Sequence, residues 1–186
     1  MKLVKTFFNG SVKVIQVNII NDDRGFFFEN YNYKKLLDLD IKDNFVQDNF
    51  SFSKTYGIVR GLHFQEPNFS QSKLVSVLQG EILDVFVDLR INSPTYGKHE
   101  KVILNDKNAL RVYIPVGFAH GFSVKKINTL VSYKTNNFYS SNHEKTICYD
   151  DLDLDINWDL NIHKVQTSTK DKRGIKFKNY NSVFYL

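Results

Sequence analysis

The sequence predicts an all-β architecture, a sandwich or barrel, with one short helix. Three observations carry that reading. Short β-branched and aromatic segments recur along the chain, turn clusters of Asn, Asp, Gly and Pro separate them, and only one stretch has helical character. The 186 residues are 42% hydrophobic and 15% aromatic, enough to build a sizeable core and unlike a disordered chain. No repeat or low-complexity linker divides the chain, so one domain over residues 1–186 is the simplest partition.

Residues 11–20 are β-branched and alternating, the pattern of a strand. A turn cluster, Asn21 to Gly25, leads into Phe26-Phe27-Phe28 and Glu29, and residues 31–39 form the expected helix. In a strand over 45–53, Gln47, Asn49, Ser51 and Ser53 share one face, expected to meet solvent, while Val46, Asp48, Phe50 and Phe52 share the other. The stretch Arg60-Gly61-Leu62-His63-Phe64-Gln65 has the same alternation: Gly61, His63 and Gln65 on a chemical face, Leu62 and Phe64 on an apolar one.

A hairpin is expected next, with Lys73–Leu78 and Ile82–Leu89 joined through Gln79-Gly80-Glu81. Leu83, Val85, Val87 and Leu89 make one apolar face; Asp84 and Asp88 lie opposite with Ile82 and Phe86, a mixture suited to a lined cavity. Further strands are expected at 101–104, 110–115, 129–135 and 145–149. The acidic loop Asp150 to Asp155 lacks the glycine and closing glutamate of an EF-hand and reads as a solvated turn before Trp158. The tail from Lys176 to Leu186 has no assignable pattern.

The net charge of +5 is spread out, with no dense basic block or zinc-finger spacing, so no nucleic-acid partner is indicated. No apolar run reaches the length of a membrane span, and the start, Met1 to Thr6, lacks the apolar core of a signal peptide. The expected address is cytoplasmic. The single cysteine, Cys148, cannot form an intramolecular disulfide and sits in an apolar strand, where a core role is expected.

Pro115-x-Gly117-x-x-His120 resembles the second motif of cupins, small β-barrels built on a jelly roll, and implies a cupin-type jelly-roll β-barrel with few short helices. Metal-binding cupins carry a His-x-His in their first motif. Here that place is His63-Phe64-Gln65, so two imidazoles lack a third strong ligand; no metal is expected and His63 stays available as a base.

A longer series of motifs resembles the dTDP-4-dehydrorhamnose 3,5-epimerase family of nucleotide-sugar epimerases. It runs from Asp23-Arg24-Gly25-x-Phe27-x-Glu29 through Gln47-Asp48-Asn49-x-Ser51-x-Ser53 and the Arg60–Gln65 stretch. It continues with Gln71-x-Lys73, Gly80-Glu81-Ile82-x-Asp84, Ile114-Pro115-x-Gly117-Phe118-Ala119-His120, Tyr133-Lys134, Glu144 and Ile156-x-Trp158. The resemblance implies a nucleoside-diphosphate 4-keto-6-deoxy sugar as substrate, inverted at C3 and C5 in surface-polysaccharide sugar biosynthesis. The ketone acidifies both neighbouring carbons, so a base can leave an enolate that an acid reprotonates from the other face, with no cofactor.

By this resemblance His63 is the base, Tyr133 the opposing acid, Asp171 the partner of the histidine and Lys73 the stabiliser of the enolate. Arg60 and His120 assist, and Arg24, Phe27, Glu29, Gln47, Asn49, Glu144 and Lys170 match substrate-contacting positions. Arg24 and Glu29 are expected to reach a neighbouring subunit's ligand, implying a homodimer with strand exchange at the site. Leu152, where the family usually has Pro, and Thr167, where it has Leu, depart from the pattern. A single-centre epimerase, a GDP-linked 4-keto-6-deoxy-heptose as substrate, and a non-catalytic sugar-nucleotide-binding cupin remain as alternatives.

Overall fold

Two antiparallel sheets face each other in a computed structural model that describes residues 1–161 and 165–186. The larger has the order β1 (Lys2–Phe7), β2 (Val12–Gln16), β11 (Leu110–Ile114), β7 (Lys73–Gln79), β13 (Thr129–Thr135) and β5 (Gln47–Ser53). The second has the order β10 (His99–Asn105), β8 (Glu81–Asp88), β12 (Phe118–Val124), β6 (Val59–Gln65) and β14 (Glu144–Thr146). This is the expected all-β, jelly-roll type of barrel. Two small pairs stand apart: the hairpin of β3 (Ile19–Asp22) with β4 (Gly25–Phe28), and the parallel pair of β9 (Arg90–Ile91) with β15 (Phe184–Tyr185).

Alternation decides what each sheet buries. Val12, Val75, Val112, Ile82 and Phe86 meet between the sheets and close one end of the barrel. The opposite side chains of β6 and β8, including Leu62, Phe64, Val85 and Val87, point outward into a second core completed by Trp158, Tyr180 and Phe184. The C-terminal tail therefore covers the outer face of the second sheet. That explains its lack of periodicity: it packs through isolated aromatic anchors.

The structure corrects several expectations. The segments 73–78 and 82–89 do not form a hairpin: β7 pairs with β11 and β13 in one sheet, and β8 with β10 and β12 in the other, so the chain crosses between sheets at Gly80. The strand over 11–20 divides, because the Val17 N–H turns to the Ala109 carbonyl and Ile19–Asp22 pairs with Gly25–Phe28. The helix is shorter than 31–39: α1 spans Tyr33–Leu37, with the Asn32 side chain capping the Lys35 N–H. Asp40 then takes a left-handed conformation, φ 54°, as the chain leaves the helix. β1, missed in the sequence, is an edge strand whose first five residues are all exposed, so no alternation marks it.

Two polar segments also behave differently. The face of β5 carrying Ser51 and Ser53 turns inward, Ser53 being 1% exposed, while Phe50 and Phe52 lie outward at 65% and 50% exposure. The expectation of a solvent-facing polar row is reversed, because the barrel interior at this end is polar. The acidic loop is not simply solvated: Asp151 is buried and accepts the N–H groups of Asp153, Leu154 and Phe177, pinning the tail. Cys148 is buried, as expected. Among the described residues no helix is long and apolar enough to cross a membrane.

Candidate active site

A cavity of about 490 Å³ opens between the sheets at the polar end of the barrel. The second sheet contributes Arg60, His63, His120 and Glu144; the first contributes Lys73, Tyr133 and Ser51; a C-terminal segment contributes Lys170 and Asp171. The period of two in β6 that sends Leu62 and Phe64 into the outer core sends His63 and Gln65 into this cavity.

Gly61 admits the geometry. It takes φ +121°, and a Cβ there would stand 2.5 Å from the Gly121 Cα and 2.7 Å from the His120 carbonyl oxygen. β6 and β12 thus approach closely beside the motif, and His63 pairs directly with His120 across them.

His63 Nε2 lies 2.6 Å from Asp171 Oδ1. Asp171 sits in the one-turn helix α2 (Thr169–Lys172) and is 3% exposed. Burial pushes its carboxyl up, but the hydrogen bond and charge of His63, the Gly61 N–H and Ser168 outweigh this and hold it low. An ionised carboxylate only accepts, so Nε2 supplies the proton of this bond, and in the neutral ring Nδ1 is the nitrogen with the lone pair.

Lys73 is almost completely buried, and its Nζ donates to the His63 carbonyl oxygen at 3.2 Å. Burial pulls its ammonium down to about 8, against the charges of Asp84 and Glu144. His120 Nε2 lies 2.7 Å from Asp84 Oδ1, and burial holds that imidazole low although Asp84 opposes it. The Tyr133 hydroxyl is pushed up by burial and by Glu144, with Arg60 opposing, so it keeps its proton at neutral pH. Glu144 accepts the Tyr139 hydroxyl at 2.8 Å and pairs with Lys170. The Arg60 guanidinium is held by the Phe52 carbonyl and the Ser53 hydroxyl.

The cavity thus gathers His63, Lys73, Tyr133, Asp171, Arg60, His120, Glu144 and Lys170. Gln47 and Asn49 bond to each other at 2.8 Å, and Gln47 accepts the Tyr139 N–H; neither lines the cavity. Arg24, Phe27 and Glu29 stand away from it. The Arg24 side chain is 90% exposed and pairs with Asp22, while Glu29 binds Lys35 and Asn32.

Three participants were missed as site residues. Asp84 was legible as an inward carboxylate but not as the partner of His120. Tyr139 lies in a loop, where no periodicity marks it. Gln65, in the motif, spends its amide on the Phe69 and Phe138 carbonyls and the Ser140 N–H, holding the loops at the cavity mouth.

The sequence model of the dTDP-4-dehydrorhamnose 3,5-epimerase family matches residues 8–179. A dTDP-4-dehydrorhamnose 3,5-epimerase of Shigella flexneri is 42% identical over 95% of this chain and 96% of its own. The crystal structure of one from Elizabethkingia anophelis superposes with a TM-score of 0.90 at 43% identity, covering 97% of this chain and 98% of that one. A third, dTDP-6-deoxy-D-glucose-3,5-epimerase of Legionella pneumophila in complex with dTDP-4-keto-L-rhamnose, is 45% identical with a TM-score of 0.83, covering 87% of this chain and 85% of that one.

Proposed function

The chain belongs to the dTDP-4-dehydrorhamnose 3,5-epimerase family, and from that premise we propose that it inverts C3 and C5 of a dTDP-linked 4-keto-6-deoxy hexose. The observation that carries this reading is the placement of His63, paired with Asp171, and Tyr133 on the two facing sheets of one cavity. A base on one wall and an acid on the other is what inversion through a planar enolate requires.

In this reading Nδ1 of His63 takes the proton from the carbon next to the ketone, and Asp171 stabilises the imidazolium that forms. The electron pair moves onto the C4 oxygen, where the Lys73 ammonium meets the developing charge. Tyr133 then protonates the carbon from the opposite face. His63 then gives its proton to solvent and Tyr133 takes one back, and the second centre follows by the same steps. The carbonyl itself holds the charge, so no redox cofactor enters.

Arg24, Phe27 and Glu29 act in this reading on the ligand of a second copy. Their hairpin forms its own two-stranded sheet, away from the cavity of its own chain. The outward Phe50 and Phe52 on edge strand β5 supply an apolar face for such a homodimer. The working compartment is the cytoplasm, where nucleotide sugars are assembled.

Proton NMR in heavy water tests the reaction, with dTDP- and GDP-linked 4-keto-6-deoxy sugars side by side. Deuterium entering C3 and C5 of the dTDP sugar is the expected result. Label at one carbon only reduces the activity to a single centre. No label in either sugar while dTDP still binds removes the catalytic reading.

A further inference from the structure

The segment from Gln166 to Ile175 carries Asp171 to His63, and both ends are locked to the sheet that holds the histidine. At one end the Gln166 carbonyl accepts the Val59 N–H at 2.8 Å, and the Gln166 N–H donates to Gly57 at 2.9 Å. At the other, the Ile175 N–H donates to the Thr146 carbonyl at 2.8 Å, and the Ile175 carbonyl accepts the Cys148 N–H at 3.0 Å. Between them the Ser168 hydroxyl caps the Asp171 N–H at 3.0 Å.

The tightest approach is at Gly174. A Cβ there would stand 2.7 Å from the Cys148 nitrogen and 2.9 Å from the Ile147 carbonyl carbon. Both are backbone atoms, and Ile147 exchanges hydrogen bonds of 2.9 and 3.1 Å with Leu62, the residue before His63. That backbone cannot yield without moving the histidine, so a side chain at 174 lifts the crossing segment instead. Asp171 lies three residues back, with its carbonyl accepting the Gly174 N–H at 3.3 Å.

We propose that Gly174 is a positioning residue for the His63–Asp171 pair: its missing side chain lets the segment lie flat on residues 147–148, which sets the carboxylate within reach of Nε2. The proposal rests on the reading of His63 as the base. It assigns the C-terminal crossing a role in the reaction that no residue of the crossing except Asp171 performs by contact with the imidazole.

The test is a double-mutant cycle on the full chain. It is read by deuterium uptake into dTDP-4-keto-6-deoxyglucose and by the downfield proton resonance of the imidazole N–H bonded to a carboxylate, identified by its loss in Asp171→Asn. Gly174→Ala is expected to slow exchange about 10²-fold, the scale of an ångström of misplacement, and to remove or shift the resonance. In the Asp171→Asn background the same change costs less than about twofold. Equal losses in both backgrounds, or an unchanged resonance, overturn the proposal.

Cys148→Ala covers a Gly174→Ala protein that does not fold. It removes only the thiol that donates to the Gly174 carbonyl at 2.7 Å. The expected loss is about threefold, absent in the Asp171→Asn background; equal losses in both overturn the proposal here too. A wild-type protein that exchanges no substrate proton ends the proposed reaction, while the resonance still decides the geometry.

Discussion

His63 Nε2 and Asp171 Oδ1 stand 2.6 Å apart although 108 residues separate them in the chain. The carboxylate fixes which ring nitrogen carries the proton and aims the other into the cavity. Asp171→Asn keeps the shape but removes the charge. It should lower kcat by about 10²- to 10⁴-fold while leaving the affinity for dTDP within about twofold, measured by steady-state kinetics and calorimetry.

Tyr133 and His63 line one cavity from different sheets, so their losses should differ in kind. His63→Asn should abolish proton exchange at both carbons. Tyr133→Phe should still exchange, because the enolate forms and takes deuterium back from the histidine side, but without inversion. Deuterium incorporation with retained configuration, read by NMR, is the expected signature; full inversion in Tyr133→Phe would remove the tyrosine from the mechanism.

Burial brings the Lys73 ammonium down to about 8. The cation is present below that value and is lost as pH rises through it, so kcat should fall on the alkaline side above about pH 8. Lys73→Arg holds its charge to much higher pH. Its profile should lack that limb, at a lower absolute rate because the guanidinium is larger. A wild-type limb that persists unchanged in Lys73→Arg belongs to another group.

Asp88 is fully buried and accepts from the Arg90 guanidinium and N–H and from the hydroxyls of Ser93 and Thr95. Burial pushes its carboxyl up, but these donors outweigh it and hold the carboxyl below its ordinary value. A depressed carboxyl contributes stability that is present above its unfolded value, about 4, and is lost as pH falls through and below it. Asp88→Asn should cost about 3 kcal/mol at pH 7, and its thermal midpoint should fall less steeply than wild type below about pH 4.

The exposed hairpin carrying Arg24 should serve a partner's cavity. Arg24→Ala and His63→Asn, each impaired alone, should recover activity when co-expressed, because a hybrid dimer contains one site with both intact groups. Phe50→Asp with Phe52→Asp should shift the protein to a monomer by sedimentation. Failure of the hybrids to exceed either variant would confine Arg24 to its own chain.

The sequence by itself determined the fold class and which side chains alternation sets apart from the apolar ones. Period-two alternation in β6 and β8 already separated His63 and Asp84 from the apolar side chains beside them, because a strand allows only two faces. The family resemblance, not periodicity, singled out His63, Lys73, Tyr133 and Asp171. Tertiary structure decided what alternation leaves open, which is the direction each face takes. Whether the polar row of β5 meets water or the cavity depends on the opposite sheet, and that sheet is polar at this end. The same holds for Asp151, whose partners are backbone groups of segments up to 26 residues away. Asp84 acquires its role only where β8 lies beside β12, and Asp171 reaches His63 where the C-terminal crossing is hydrogen-bonded against residues 57–59 and 146–148. Pairing between strands distant in sequence is set by the packing of the whole barrel, and no local pattern encodes it.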